Sequence, residues 1–245
     1  MGTSPGEMRA FVIRQGELWN AGDRAGFVAS YHEIAPAGFA MEFPVGGPIH
    51  RGWDALDDLW NNYQTRIRVS YPIVACGDNG EMAVLEQIDA EVEGRVVSRH
   101  SIHSYVCADE GMLVRYFADS PQPNDAAQAT RAFLTRQSDL WNLGEREQFF
   151  AAYTAFTGAD FDIEFPIGAP PHPGPQMLQT LWNGYQADVK LRYRHVYVTD
   201  SNEAAICVGN ERIIDGQISV NNSLEFYRFD ERGMHVRYFH EGAHG

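Results

Sequence analysis

Glu86, Arg99 and His103 are residue types that acid/base chemistry uses: a carboxylate to take a proton, an imidazole that trades one near neutral pH, and a guanidinium to hold an oxyanion. A hairpin would bring them together. If Glu93-Gly94 is a two-residue loop, Val92 faces Arg95, and counting back sets Ile88 opposite Arg99, Glu86 opposite Ser101 and Val84 opposite His103. These side chains share one face of the sheet. Glu86 is diagonal to both Arg99 and His103, about 7–8 Å away between α-carbons, a gap long side chains close. In a poorly hydrated cavity such a carboxylate tends towards a raised pKa, and Arg99 would hold an oxyanion or phenolate. The competing reading is a structural Glu86–Arg99 ion pair beside a satisfied His103.

The same count around the Asp215-Gly216 turn pairs Asn210 with Asn221, Ile206 with Glu225 and Arg212 with Ser219. Glu225, Arg212, the two asparagines, Tyr153, Tyr238 and His240 are the candidates for a second cavity. They lack the carboxylate–Arg–His triangle, so the first half is the expected catalytic one. No metal is expected, because His100 and His103, three apart on a strand, point to opposite faces. The chain shows no Gly-rich phosphate loop, Ser-centred elbow or Cys/His nucleophile pattern, so the expected chemistry needs no cofactor. Cys76, Cys107 and Cys207 are scattered without CxxC spacing and read as small buried hydrophobes.

Composition narrows the partners. A formal charge of -14 and a pI near 5.0 leave no basic cluster for nucleic acid or an anionic membrane surface. The start "MGTSPGEMRAF" has no basic stretch before an apolar run, and no segment reaches the roughly 18 uninterrupted apolar residues of a membrane span. A soluble, cytoplasmic protein is expected.

The elements that must position these residues occur twice. "MEFPVGGPIHRG" (41–52) returns as "IEFPIGAPPHPG" (163–174), and an offset of 122 aligns residues 9–120 with the second half without a gap, about 40 of about 112 positions being identical. Two compact domains follow, residues 1–120 and 121–245, with "SPQPND" as a short exposed linker. Ser4-Pro5-Gly6-Glu7 is a capping box that starts a helix with Met8, Phe11, Val12, Gln15, Leu18 and Trp19 on one face, closed by Gly22. A second helix, an extended "AMEF" and a third helix through Leu56, Leu59, Trp60 and Tyr63 follow. Strands at 69–76, 82–92, 95–108 and 112–119 complete the order ααβαββββ. The predicted class is α+β: two fused cones, each with three helices packed on a strongly bent antiparallel sheet around a cavity.

"LWNAGDRAGFVASY" followed by "MEFPVGG" resembles the "NAGD" helix end and "EDPVG" segment of ketosteroid isomerases, within the nuclear-transport-factor-two-like (SnoaL-like) superfamily. The resemblance covers nearly the whole chain. It implies that the face carrying His103 is the inner one, because His103 and Glu225 align with the isomerases' protonated Asp. It also implies that steroid-type isomerisation is absent: the general base aligns with Phe43 and Phe165, and the oxyanion-donating Tyr with Gln15 and Gln137. The duplicated rim is then structural. Pro44, Gly46, Pro48 and Gly52 would turn the chain, and His50 and His172 would serve a structural hydrogen bond ahead of catalysis. Glu42 and Glu164 fall under the same reasoning.

The expected catalytic group is Glu86, Arg99, His103 and Tyr116. Gln15, Trp19, Tyr31, Phe43, Tyr63, Ile88, Ser101 and Tyr105 would line the substrate. Such a lining suits an apolar aromatic substrate. The resemblance points to a cofactor-free lyase, since lyases that release formaldehyde from lignin-derived diarylpropane diols to give stilbenes look like members of the superfamily. A dehydratase, epoxide hydrolase or polyketide cyclase using the same residues is the first alternative, and a ligand-binding or interaction module the second. The duplication allows either a monomer with an internal pseudo-dimer or a homo-oligomer.

Overall fold

The computed structural model describes residues 3–158 and 160–241, and the chain divides between Ala118 and Asp119 into two compact units. In the first, helices α1 (Pro5–Ala21), α2 (Arg24–Ile34) and α3 (Trp53–Tyr63) accompany strands β1 (Phe39–Glu42), β2 (Ile49–Arg51), β3 (Ile67–Cys76), β4 (Glu81–Val92), β5 (Arg95–Ala108) and β6 (Gly111–Phe117). The second repeats the plan with α4 (Asp125–Leu143), α5 (Arg146–Thr157), β7 (Phe161–Glu164), β8 (His172–Pro173), α6 (Gly174–Tyr185), β9 (Lys190–Val198), β10 (Glu203–Ile214), β11 (Gln217–Asp230) and β12 (Gly233–His240). Each unit is an α+β cone with its own apolar core between helices and sheet. The sheet orders are β2-β1-β6-β5-β4-β3 and β8-β7-β12-β11-β10-β9. The small rim strands β2 and β8 are additions to the expected order; they form because the Pro- and Gly-rich turn folds back on β1 and β7.

Local chemistry sets the helix ends. Ser4 accepts from the Glu7 amide while the Glu7 carboxylate takes the Ser4 amide at 2.8 Å, closing the capping box. Gly22 and Gly144 end α1 and α4 at φ 72° and 75°, where a Cβ would be strained. Glu93-Gly94 and Asp215-Gly216 all have positive φ, as a two-residue hairpin turn with the strands' own twist requires. The register is the expected one: Glu86 faces Ser101, Val84 faces His103, Ile88 faces Arg99, and Asn210 faces Asn221. A bulge leaves Tyr71 and Pro72 of β3 outside the ladder with β4; its counterpart leaves out Arg194 of β9.

The duplicated motifs hold this frame. Asn20 donates to the Val69 carbonyl at 2.7 Å and accepts from the Val69 amide at 3.0 Å, tying α1 to β3; Asn142 does the same to Leu191 at 2.8 Å each. Glu42 accepts from the Gly46 amide at 2.7 Å and from Arg115 Nε at 2.5 Å, and Glu164 from Gly168 and Arg237 at 2.6 Å each. Each carboxylate clamps a rim turn, which contains a cis X-Pro bond, to the neighbouring strand. The rim histidines differ from expectation. His50 and His172 are exposed and neither imidazole makes a hydrogen bond; what they contribute is backbone pairing with Met41 and Ile163. The "SPQPND" segment is exposed but anchored, since Asp200 accepts from Ser120 Oγ at 2.6 Å and from the Asn124 amide at 2.9 Å.

Candidate functional site

In the first unit β4 and β5 carry Glu86, Ser101 and His103 to the buried end of the sheet, exposed by 7%, 7% and 1%. Ser101 Oγ donates to Glu86 Oε2 at 3.1 Å and lies 2.8 Å from His103 Nε2, which is 3.2 Å from Glu86 Oε2. Tyr71, at the bulge, lies close enough to Glu86 for the carboxylate to add to the effect of burial on its hydroxyl. Burial first, and the Glu86 charge with it, push the hydroxyls of Tyr31, Tyr71, Tyr105 and Tyr116 up, so they stay neutral donors. The Tyr116 ring sits 4.0 Å from that of His103.

Arg99 does not join this cluster. It is exposed and makes no ion pair with Glu86, because it stands in the exposed outer part of β5, residues 95–99, while residues 101–103 are buried. The expected triangle is therefore a Glu–Ser–His chain. Trp19 belongs to the core, packed on Trp60 and Phe27, and Tyr31 packs on Phe11, Phe27 and Phe39. Phe43 and Tyr63 sit at the exposed rim, Ile88 is half-buried, and Gln15 is buried on Ser30.

A cavity of about 490 Å³ lies in the second unit, whereas the sequence reading placed its expected catalytic group in the first. Tyr153, Asn210, Arg212, Asn221, Glu225, Tyr238 and His240 all line it, together with Gln137, Phe165, Tyr185, Tyr193 and Ser223. At its floor Glu225, 5% exposed, accepts from Tyr227 Oη at 2.7 Å and from Ser223 Oγ at 3.2 Å, and Asn210 donates to Ser223 at 3.1 Å. Burial raises the Glu225 carboxyl to about 7 against the pull of those two bonds, so near neutrality it is available as acid and as base. Burial and the Glu225 charge keep Tyr153, Tyr193, Tyr227 and Tyr238 neutral. Burial also lowers the His240 pKa, which favours its neutral form. At the mouth the Arg212 guanidinium lies 5.5 Å over the Tyr185 ring.

Three buried polar atoms of this lining have no partner: Oε1 and Nε2 of Gln137 and Nε2 of His240. An unpaired buried polar atom costs about 1–3 kcal/mol, so a polar group placed beside these atoms would be stabilised. Among the described residues no group of three or more His, Cys, Asp or Glu is placed to hold a metal ion. No described helix is long and apolar enough to cross a membrane.

The offset of 122 shows what was legible. Tyr31, Tyr71, Tyr105, Tyr116 and Ser101 recur as Tyr153, Tyr193, Tyr227, Tyr238 and Ser223, whereas Glu86 becomes Val208 and His103 becomes Glu225. The carboxylate has moved from β4 to β11 beneath the same tyrosines and serine. Sequence reasoning missed Tyr71 and Tyr193; Pro72 inside a strand was the signal for the bulge that turns Tyr71 inward.

No family model matches the chain, and no curated protein does. Solved structures do. Bal32a, from a soil-derived mobile gene cassette, is 15% identical with a TM-score of 0.39, covering 47% of this chain and 92% of its own. SalBIII, an epoxide hydrolase/cyclase-like enzyme with a role in pyran ring formation in the polyether salinomycin, is 19% identical with a TM-score of 0.36, covering 44% and 88%.

Proposed function

We propose that the protein is a cofactor-independent acid/base enzyme acting on an apolar phenolic substrate in the second unit's cavity, and specifically a lyase that frees formaldehyde from a diarylpropane diol to leave a stilbene. One observation carries the reading: a carboxyl group poised at about 7 on the floor of an aromatic-lined cavity of about 490 Å³. A single such group can act twice. Protonated Glu225 gives its proton to the benzylic hydroxyl, which departs as water while the para-phenol, passing its own proton to neutral His240, pushes electrons through the ring to form a quinone methide. The Glu225 carboxylate then takes the proton of the terminal hydroxyl. Its O–H electron pair becomes the carbonyl of formaldehyde, the C–C pair becomes the stilbene double bond, and the phenolate regains its proton from His240. Neutral Tyr238 and the Gln137 amide supply donors to the developing oxyanions.

Product analysis tests this. A phenolic diarylpropane diol should give stilbene, water and formaldehyde in equal amounts, and its O-methyl ether, which cannot form the quinone methide, should give none. Absence of formaldehyde from every phenolic diol tried would refute the lyase assignment. Tight binding without turnover would make the cavity a binding site instead.

A further inference from the structure

The second unit's cavity carries its positive charge at one end. Among the described residues that line it, Arg212 is the one lysine or arginine. Its guanidinium lies over the Tyr185 ring, and no carboxylate of the described residues pairs with it. The neighbouring Glu211 is on the opposite face of β10, 3.6 Å from Arg192. Across the ladder Arg212 faces Ser219, and two residues deeper Asn210 faces Asn221. All four line the cavity, so its mouth sets one cation among neutral hydrogen-bonding groups.

The fold does not require this arrangement. The first unit has the same ladder register, with Ala90 facing Val97 where the second has Arg212 and Ser219. It retains the aromatic ring as Tyr63 but not the guanidinium above it. Arg99 of the first unit corresponds to Asn221, on the other strand and one rung deeper. An arginine held over a ring, facing a cavity and free of any counter-charge, is a receptor for an anion from outside.

The chemistry narrows which anion. A guanidinium presents parallel N–H groups that match the two oxygens of a carboxylate. A phosphate dianion would bring a second charge that this lining does not balance, in a chain whose formal charge is already -14. Position narrows it further. Six residues of β10, about 20 Å of strand, separate Arg212 from Ile206, which faces Glu225. That exceeds the distance of about 10 Å over which exposed charges act in ordinary salt, so an anion at the mouth leaves the Glu225 carboxyl unperturbed.

We propose that Arg212 determines specificity: it selects elongated diaryl substrates that carry a carboxylate on the ring remote from the phenol, with Ser219 and Asn221 donating to the same group. The aromatic body fills the apolar walls and the carboxylate stays at the mouth. This rests on the reading of the second unit's cavity as the substrate site, and not on the lyase reaction within it.

The test uses the full chain and two probes of one shape, 4-hydroxystilbene-4′-carboxylate and its carboxamide, with affinities measured by calorimetry at pH 6. The carboxylate should bind at least about tenfold more tightly than the amide, the effect of charge-assisted hydrogen bonds. Arg212→Gln should abolish that preference and leave the amide affinity within about twofold, which also shows that the cavity of the variant is intact. Arg99→Gln should change neither affinity. Equal binding of the two probes overturns the proposal, as does a preference that survives Arg212→Gln. Binding of neither probe overturns it together with the reading of the cavity as the substrate site. A preference that depends on Arg212, found in a protein that frees no formaldehyde from any phenolic diol, supports the proposal and refutes the lyase reading alone.

Discussion

His103 and Glu225 hold the same position in the two units, 122 residues apart on β5 and β11, each beside a serine retained in both halves, Ser101 and Ser223. One position thus presents an imidazole backed by a carboxylate in the first unit and a lone carboxyl in the second. The shared frame of tyrosines is retained while the titrating group is exchanged. This is how a duplicated fold acquires two interiors of different chemistry.

The lone carboxyl should make stability depend on pH. The folded pKa of Glu225 lies near 7, above the usual 4.5, so the folded state binds more protons than the unfolded state between those values. Stability from this group is full below about 4.5 and falls as pH rises through 7, by up to about 3 kcal/mol. Urea unfolding at pH 5 and pH 8 should show a smaller loss for Glu225→Gln than for the unsubstituted protein. Equal losses would mean the carboxyl is not raised.

Arg99 should be silent. It stands exposed and unpaired to Glu86, so Arg99→Ala should change unfolding free energy by no more than about 0.5 kcal/mol and leave turnover in the second unit's cavity unaltered. A loss of several kcal/mol would restore the buried ion pair that the hairpin count first suggested.

The rim clamps should be structural and equivalent. Glu42→Ala and Glu164→Ala each remove the carboxylate that an arginine and a turn amide share, and each should cost about 1–3 kcal/mol of stability. Thermal unfolding of the two variants checks this. The remaining folded Glu164→Ala protein should bind aromatic ligands as before.

The hairpin register, the capping box, the closing glycines and the α+β class were readable because each follows from local rules: two-residue turns, period-2 alternation and residues that tolerate positive φ. The pairing of Glu86 with Ser101 came from that arithmetic alone. What the alternation cannot give is how far the helices cover the sheet, and this separates buried His103 from exposed Arg99, four residues apart on one face. Nor can it say which interior stays open. That depends on side-chain volumes summed over many elements, which no alternation reports; a cavity of about 490 Å³ lies beside Glu225.

The most direct measurement is formaldehyde release from a phenolic diarylpropane diol by the unsubstituted protein and by Glu225→Gln. We expect one formaldehyde for each stilbene formed, a rate about 10²–10⁴-fold lower in Glu225→Gln, and substrate affinity changed much less. Formaldehyde released equally fast by the Gln variant would contradict the central role given to this carboxyl.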